Sequence, residues 1–198
     1  MEHLFWADGI LIPPQTQMRD VRHHFLRLPM GVTIHLEGKL KSHDNYQKVI
    51  DTAKQFAVAN DLTFSLFENS DKLLERVKDE MDWDYHGMTK GILIHPDINC
   101  EPLNIEFDKD LYIQEYCKTQ FSDISVHILI VNFLRKIEPY FENLKVDDEG
   151  EYWDTSDITI LQKHFDNCFR IIEEKMQEDK TLEGPIRLDN GRIIDLMS

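Results

Sequence analysis

Four segments of the chain carry the hydrophobic pattern of a β-strand. Apolar residues alternate with polar ones over residues 32–36 and again over residues 103–107. A period of two places the apolar side chains on one face, so each segment is predicted to be a half-buried strand. Ile92–Ile94 is apolar on both faces and is predicted to be an interior strand. A short strand is also expected at Thr63–Phe67.

Helical periodicity predicts four helices between and after these strands. The first begins at Ser42 and a second, shorter one at Ser70, because a serine hydroxyl can cap the free amides of a helix N-terminus. The third is expected to begin within residues 122–125, and the fourth after Ser156 or Asp157. The residues predicted to face the core are Tyr46, Val49, Ile50, Ala53, Phe56 and Ala57 in the first helix, Leu73, Leu74, Val77 and Met81 in the second, Val126, Leu129, Ile130, Phe133, Leu134 and Ile137 in the third, and Ile158, Leu161, Phe165, Cys168, Ile172 and Met176 in the fourth.

The order of these elements favours an α+β fold in which a mixed, largely antiparallel sheet is covered by about four helices. No linker-like segment divides the chain, so residues 1–198 are predicted to form a single domain. Residues 1–31 contain irregularly spaced prolines and are expected to be irregular, with a candidate edge strand at Ile10–Ile12.

The last residues of the chain, 184–198, are predicted to form a hairpin. Asn190 followed by Gly191 is typical of a type I′ turn, because these residues tolerate positive φ angles. Such a turn would place Leu188 opposite Ile193 as an apolar cross-strand pair.

The charge of the chain is strongly acidic. Lys and Arg number 22 against 37 Asp and Glu, which gives a formal net charge of −15. Such a charge repels phosphate groups, and no basic patch with interleaved aromatic residues opposes it, so neither nucleic acid nor a membrane is expected as a partner. The longest apolar runs, such as Ile128–Val131, are far shorter than the roughly 20 residues of a membrane span. A protein partner with a basic surface is favoured.

The cysteines bear on the cellular compartment. Cys100, Cys117 and Cys168 form no closely spaced pair and are odd in number, which predicts free thiols in a reducing environment. No Lys or Arg precedes Arg19, so the basic start of a secretory signal is missing. A cytoplasmic location is therefore expected.

Recognisable catalytic motifs are absent from the sequence. It contains no phosphate-binding glycine loop, no zinc-protease motif and no nucleophile elbow, so no cofactor and no catalytic residue is assigned. Histidines leave one enzymatic alternative open. A hydrolase or a metal-dependent enzyme could use His86, His95 and His127 if the fold brought them together. A thiolate–imidazole pair could form if His95 or His127 came close to Cys100 or Cys117.

Two further segments have an ambiguous pattern. Residues 147–157 are rich in carboxylates and could hold a hard cation through oxygen ligands, or could be a solvated connection between helices. Residues 114–121 are polar and aromatic without a clean period, which is compatible with a site or with ordinary connecting structure.

Aromatic residues flanked by carboxylates are the feature that most favours protein binding as the function. Trp83, Tyr85, Tyr152 and Trp153 have this setting, and aromatic side chains within a charged rim are typical of protein interfaces. These four residues are the candidate partner-binding residues. The expected function is that of a small acidic intracellular protein-binding or regulatory domain, similar in general character to immunity-type proteins, without catalysis.

Overall fold

The computed structural model describes residues 31–78 and 81–198, with the side chains of residues 78, 81 and 82 excepted. The candidate edge strand at Ile10–Ile12 lies outside the described residues. Residues 31–198 form one compact unit, and the predicted α+β class with about four helices is confirmed. The elements are β1 Thr33–Leu40, α1 His43–Ala59, β2 Thr63–Leu74, β3 Val77–Lys78, β4 Met81–Asp82, β5 Tyr85–His95, β6 Leu103–Asp108, β7 Tyr112–Lys118, α2 Ile124–Ile137, a 3₁₀ turn Glu138–Tyr140, β8 Phe141–Asp148, α3 Tyr152–Thr155, α4 Ile158–Glu178, β9 Ile186–Arg187 and β10 Ile193–Ile194.

The first three-stranded sheet has β1 at its centre, between β7 and β8, and both pairs are antiparallel. The sequence predicted β1 but neither neighbour. In β7 the inward position between Ile113 and Cys117 is Glu115, which interrupts the apolar alternation. In β8 an extra residue shifts the register opposite Lys39 and Leu40, and this bulge breaks the period of two.

The second three-stranded sheet has β5 at its centre, between β2 and β6, again with antiparallel pairing. The predicted helix after Ser70 is wrong. The chain continues there as β2, with a bulge between Asn69 and Lys72, and Leu73 pairs with His86. The spacing of the apolar residues Leu73, Leu74, Val77 and Met81 suits a helix locally, but hydrogen bonding to β5 decides the conformation of the segment.

Beyond the bulge the β2–β5 hairpin extends into a segment that also contains the short antiparallel pair β3–β4. We call its described residues, 70–78 and 81–88, the hairpin arm.

Helices α1 and α2 pack together over the core, as their predicted stripes require. Ser42 caps α1 by accepting a hydrogen bond from the amide of Asn45, and Asp123 caps α2. The rings of Phe56 on α1 and Phe133 on α2 stack with their centroids 4.6 Å apart. Most of the predicted stripe residues are buried, whereas Tyr46, Val126 and Leu129 are partly buried at its margin.

Helix α4 begins after Asp157, whose carboxylate accepts hydrogen bonds from the amides of Thr159 and Ile160. Four of its six predicted core residues are buried, whereas Met176 is partly buried and Ile158 is exposed. No helix among residues 31–78 and 81–198 combines the length and apolar character needed to cross a bilayer.

The C-terminal hairpin forms with a different turn from the one predicted. Arg187 pairs with Ile193, so the loop has three residues between Leu188 and Arg192 rather than two between Asp189 and Arg192. Gly191 holds the left-handed position of that loop, with a φ of 82°. A turn followed by a left-handed glycine is the usual three-residue hairpin loop, and it moves every cross-strand pair by one residue.

Candidate functional site

The hairpin arm is held against β6 and β7 by Arg76. Its guanidinium donates to the carboxylate of Asp108 at 2.8 Å and to the carbonyl oxygen of Tyr112 at 3.2 Å. The same group lies over the rings of Tyr85 and Tyr112, at 5.3 and 4.8 Å from their centroids. Arg76 and Asp108 are both buried, so this ion pair is shielded from water. The arm therefore has a fixed point of attachment to the sheet.

Two further contacts fix the arm. The side-chain amide of Gln114 accepts from the amide of Val77 at 3.0 Å and donates to its carbonyl at 2.9 Å, as a neighbouring strand would. Closer to the bulge, the Lys72 ammonium donates to the buried carboxylate of Glu106 at 2.6 Å. Burial raises the pKa of Glu106, but hydrogen bonds from Lys72, Thr89 and Asn104 outweigh it, and the pKa lies below its usual value.

Trp83 follows β4 on the arm and is partly exposed to solvent. Its amide donates to the carbonyl of Arg76 at 2.8 Å, and its ring meets that of Tyr112 edge-on, with centroids 5.1 Å apart. The residue keeps 42% of its surface exposed. Leu73, Val77 and Met88 are exposed large apolar residues on the same arm. Trp83 thus has a defined position and an accessible face.

Tyr85 pairs with Leu74 across the arm and is half-buried. Its hydroxyl donates to the carbonyl oxygen of Met88 at 2.8 Å, while its ring packs on the guanidinium of Arg76. Both the hydroxyl and the ring of Tyr85 thus contact other residues of the arm. Trp83 is the more accessible of the two aromatic residues.

Tyr152 and Trp153 lie on α3, away from the arm in the sequence. A contact role for both residues would require both to be well exposed, whereas Tyr152 is only 8% exposed. The Arg135 guanidinium lies over both rings and donates to both backbone carbonyls, at 3.0 and 2.8 Å. These contacts hold α3 against α2, so Tyr152 acts as a structural anchor and Trp153 is only half-buried beside it.

The three candidate histidines do not come together. His86 and His95 lie nine positions apart on β5, and an extended strand separates them by roughly 30 Å. His86 is exposed and pairs with Asp71 at 3.2 Å, whereas His127 is fully buried. In the part of the chain that the structure describes, no three His, Cys, Asp or Glu side chains group as metal ligands do. The enzymatic alternative therefore lacks the convergence it requires.

His127 belongs to a buried polar network that sequence analysis missed. Its Nδ1 atom is 2.8 Å from the hydroxyl of Thr119, and its Nε2 atom is 3.1 Å from the carboxylate of Asp148. Asp148 also accepts from the amides of Gly150 and Trp153, each at 2.8 Å. Since all these partners are internal, the network ties β8 and α3 to α2. No local spacing signals it, because its three side chains come from separate elements.

The acidic segment 147–157 is therefore not a simple solvated loop. Asp148 is the last residue of β8 and belongs to the network around His127. The carboxylate of Glu149 accepts a hydrogen bond from the amide of Thr33 at 2.9 Å. Asp157 caps α4. Three of its carboxylates thus satisfy backbone amides of the fold.

Cys100 and Cys117 lie close together in the core, with their sulfur atoms 3.7 Å apart. The hydrogen bond with Cys100, together with burial, raises the pKa of the Cys117 thiol well above its usual value. A thiol of this kind is a poor nucleophile, because the thiolate is the reactive form. The pair therefore gives no support to catalysis by cysteine.

His95 lines an open cleft of about 600 Å³ between the start of β2, the β5–β6 connection and the C-terminal hairpin. The basic residue in its wall, Arg187, donates to the carbonyl oxygens of Ile98, Cys100 and Gly191. Its guanidinium is thus engaged in joining the hairpin to the body.

Comparison with known proteins gives no relative for this chain: it matches no protein-family model, no curated protein and no solved structure.

Proposed function

We propose that this chain is a protein-binding domain without catalysis, and that the hairpin arm is its contact surface. The observation that carries the proposal is Trp83, an exposed aromatic residue whose amide is bonded to the carbonyl of Arg76, and Arg76 is fixed by its buried ion pair with Asp108. Rigid aromatic side chains contribute much binding energy, since little conformational freedom is lost when they are covered. The exposed residues Leu73 and Met88 add apolar area on the same arm.

Charge on the arm supports a basic partner. Among the charged side chains of the arm that the structure describes, the acidic ones are Asp71, Glu75 and Asp84, and all three are exposed. The basic ones are Lys72 and Arg76, which are already paired with Glu106 and Asp108. The described surface of the arm is thus acidic. Complementary charge would speed association and make binding weaker at high salt.

The intracellular location and the regulatory role of immunity type belong to the same proposal. Three free cysteines and an acidic composition support the first. The second follows if the basic partner is an active protein that the arm occludes.

The test compares Trp83→Ala with Trp153→Ala, an equal truncation outside the arm. A partner captured with the full chain is identified, purified and titrated against each variant by calorimetry. Loss of about 2 kcal/mol of binding energy, roughly 30-fold in affinity, is expected for Trp83→Ala only. Equal affinities of wild-type protein and Trp83→Ala for every captured partner would contradict the proposal.

A further inference from the structure

A second surface, independent of Trp83, is the outer edge of β2. In its sheet β2 pairs with β5 on one side, and no described residue pairs with its backbone on the other side. The regular run before the bulge is Thr63–Asn69, seven residues that span roughly 23 Å. In an antiparallel edge strand every second residue turns both its backbone amide and its carbonyl away from the sheet. This edge offers a row of donors and acceptors to an incoming strand.

Natural proteins commonly protect such edges with lysine, proline or a bulge. Residues 63–69 contain neither lysine nor proline, and the bulge comes only after Asn69. Two large apolar side chains, Phe64 and Leu66, are instead exposed along this run, with Leu66 at 53%. They lie on one face of β2, since residues two apart in a strand share a face. The outer edge of β2 therefore lacks these protective residues and exposes apolar side chains to an incoming strand.

The same face carries a negative charge next to the apolar pair. Glu68 is two residues beyond Leu66 and exposed. Across the strand, Glu68 is paired in register with Lys90, whose ammonium sits 4.2 Å from the centre of the Tyr46 ring. Lys90 lies on the β5 side of Glu68, so a strand added at the free edge of β2 would approach Glu68 from the opposite side.

We infer that the outer edge of β2 binds an extended basic segment of another protein by strand addition. The added strand bonds to the backbone of Thr63–Asn69. On the face shared with Phe64 and Leu66 it carries aliphatic residues at alternate positions, followed by a lysine or arginine opposite Glu68. The charge of the chain favours this occupant over a second copy, because two chains of −15 repel each other.

The probe is a seven-residue peptide, acetylated and amidated, with the order lysine, threonine, valine, threonine, valine, threonine, lysine. Its pattern is the same in both directions, so it fits either strand orientation. The control peptide has glutamate in place of both lysines. Binding to the full chain is followed by amide hydrogen exchange and by chemical-shift changes at residues 63–69, at peptide concentrations up to the millimolar range.

We expect the outward amides of Thr63–Asn69 to exchange freely in the isolated protein and to gain at least tenfold protection with the lysine peptide, but not with the glutamate peptide. Leu66→Lys should abolish this protection, because a lysine on an edge strand opposes strand addition and repels the probe. Ile158→Lys introduces the same change at a similarly exposed residue of α4 and should leave the protection intact. Both variants must retain the wild-type circular dichroism spectrum.

Three results would overturn the inference: outward amides already protected in the isolated protein, no protection by the lysine peptide, or equal protection of Leu66→Lys. Sedimentation of the isolated protein measures its oligomeric state. A dimer that dissociates in Leu66→Lys would show that a second copy of the chain binds the β2 edge, which would also overturn the inference. The outcome is separate from that of the proposed function, because Trp83→Ala leaves this edge unchanged.

Discussion

The Nε2 atom of His127 lies 3.1 Å from a carboxylate oxygen of Asp148, and neither side chain has any exposed surface. A carboxylate can only accept, so Nε2 carries the proton that forms this bond. Burial raises the pKa of Asp148, but the bonds from His127 and from the amides of Trp153 and Gly150 outweigh it, and the pKa lies below its usual value. This carboxylate thus stabilises the fold in its charged form.

Replacing Asp148 by Asn should lower the free energy of unfolding by about 3 kcal/mol at pH 7, because it removes one partner of a buried pair. In the wild-type protein the contribution of Asp148 is complete above about pH 4, the ordinary range of an aspartate, and is lost as the pH falls through the lower folded-state pKa. Urea unfolding at pH 7, 4 and 3 measures both effects. Asp147→Asn, on the exposed side of the same strand, is the control and should change stability by less than about 0.5 kcal/mol. Equal stability of the two variants would exclude a structural role for the pair.

Truncation of Phe133 tests the packing of α2. Its ring is fully buried and stacks on Phe56, so Phe133→Ala should cost about 3–5 kcal/mol, and Ile130→Ala about 2–5 kcal/mol. Val58→Ala, at a residue that is 71% exposed, serves as the control in chemical denaturation. Losses below about 0.5 kcal/mol at both core positions would mean that the other face of α2 is buried.

Arg76→Ala should release the hairpin arm. It leaves Asp108 buried without its partner, and we expect a loss of about 3 kcal/mol in global or local stability. Hydrogen exchange of residues 72–78 and 83–86 should accelerate more than that of β1. The control is Arg170→Ala, which removes an exposed ion pair with Glu174. It should leave the stability and the hydrogen exchange of the arm unchanged. Unaltered exchange in the arm of Arg76→Ala would show that other contacts suffice to hold it.

Tyr152→Ala distinguishes a structural anchor from a contact residue. Because the ring is buried beside His127 and Arg135, its removal should cost about 3 kcal/mol in thermal or chemical unfolding. Trp83→Ala should cost less than about 1 kcal/mol, since that residue is 42% exposed. A larger loss of stability for Trp83→Ala than for Tyr152→Ala would show that Trp83, and not Tyr152, is the structural anchor.

Thiol titration of freshly purified protein under denaturing, non-reducing conditions should give three reactive thiols. In the native protein all three should react slowly, because they are buried and burial raises the pKa of Cys168 to about 12. A count of one thiol would indicate that the neighbouring Cys100 and Cys117 are oxidised to a disulfide, and would contradict the predicted reducing compartment.

The candidate site was only partly predictable. Carboxylates around Trp83 marked the arm in the sequence, but the same signal marked Tyr152, which is buried. Neighbours in sequence determine local charge, whereas exposure depends on what other elements cover. Arg135 covers Tyr152 from α2, seventeen positions away, and no periodicity announces that contact.

The sequence by itself determined β1, the first part of β2, the last part of β5, β6 and the helices α1, α2 and α4. Their apolar positions carry a local pattern, and the helix caps are local as well. Tertiary structure decided β7 and the arm. Glu115 interrupts the pattern of β7 and is accommodated inside by Arg192 and Asn104, and Leu73 is held in a strand by β5 rather than in a helix by its own neighbours. Where a buried charge or a long hairpin needs partners distant in the chain, the energy that fixes the conformation lies in those partners and not in the local sequence.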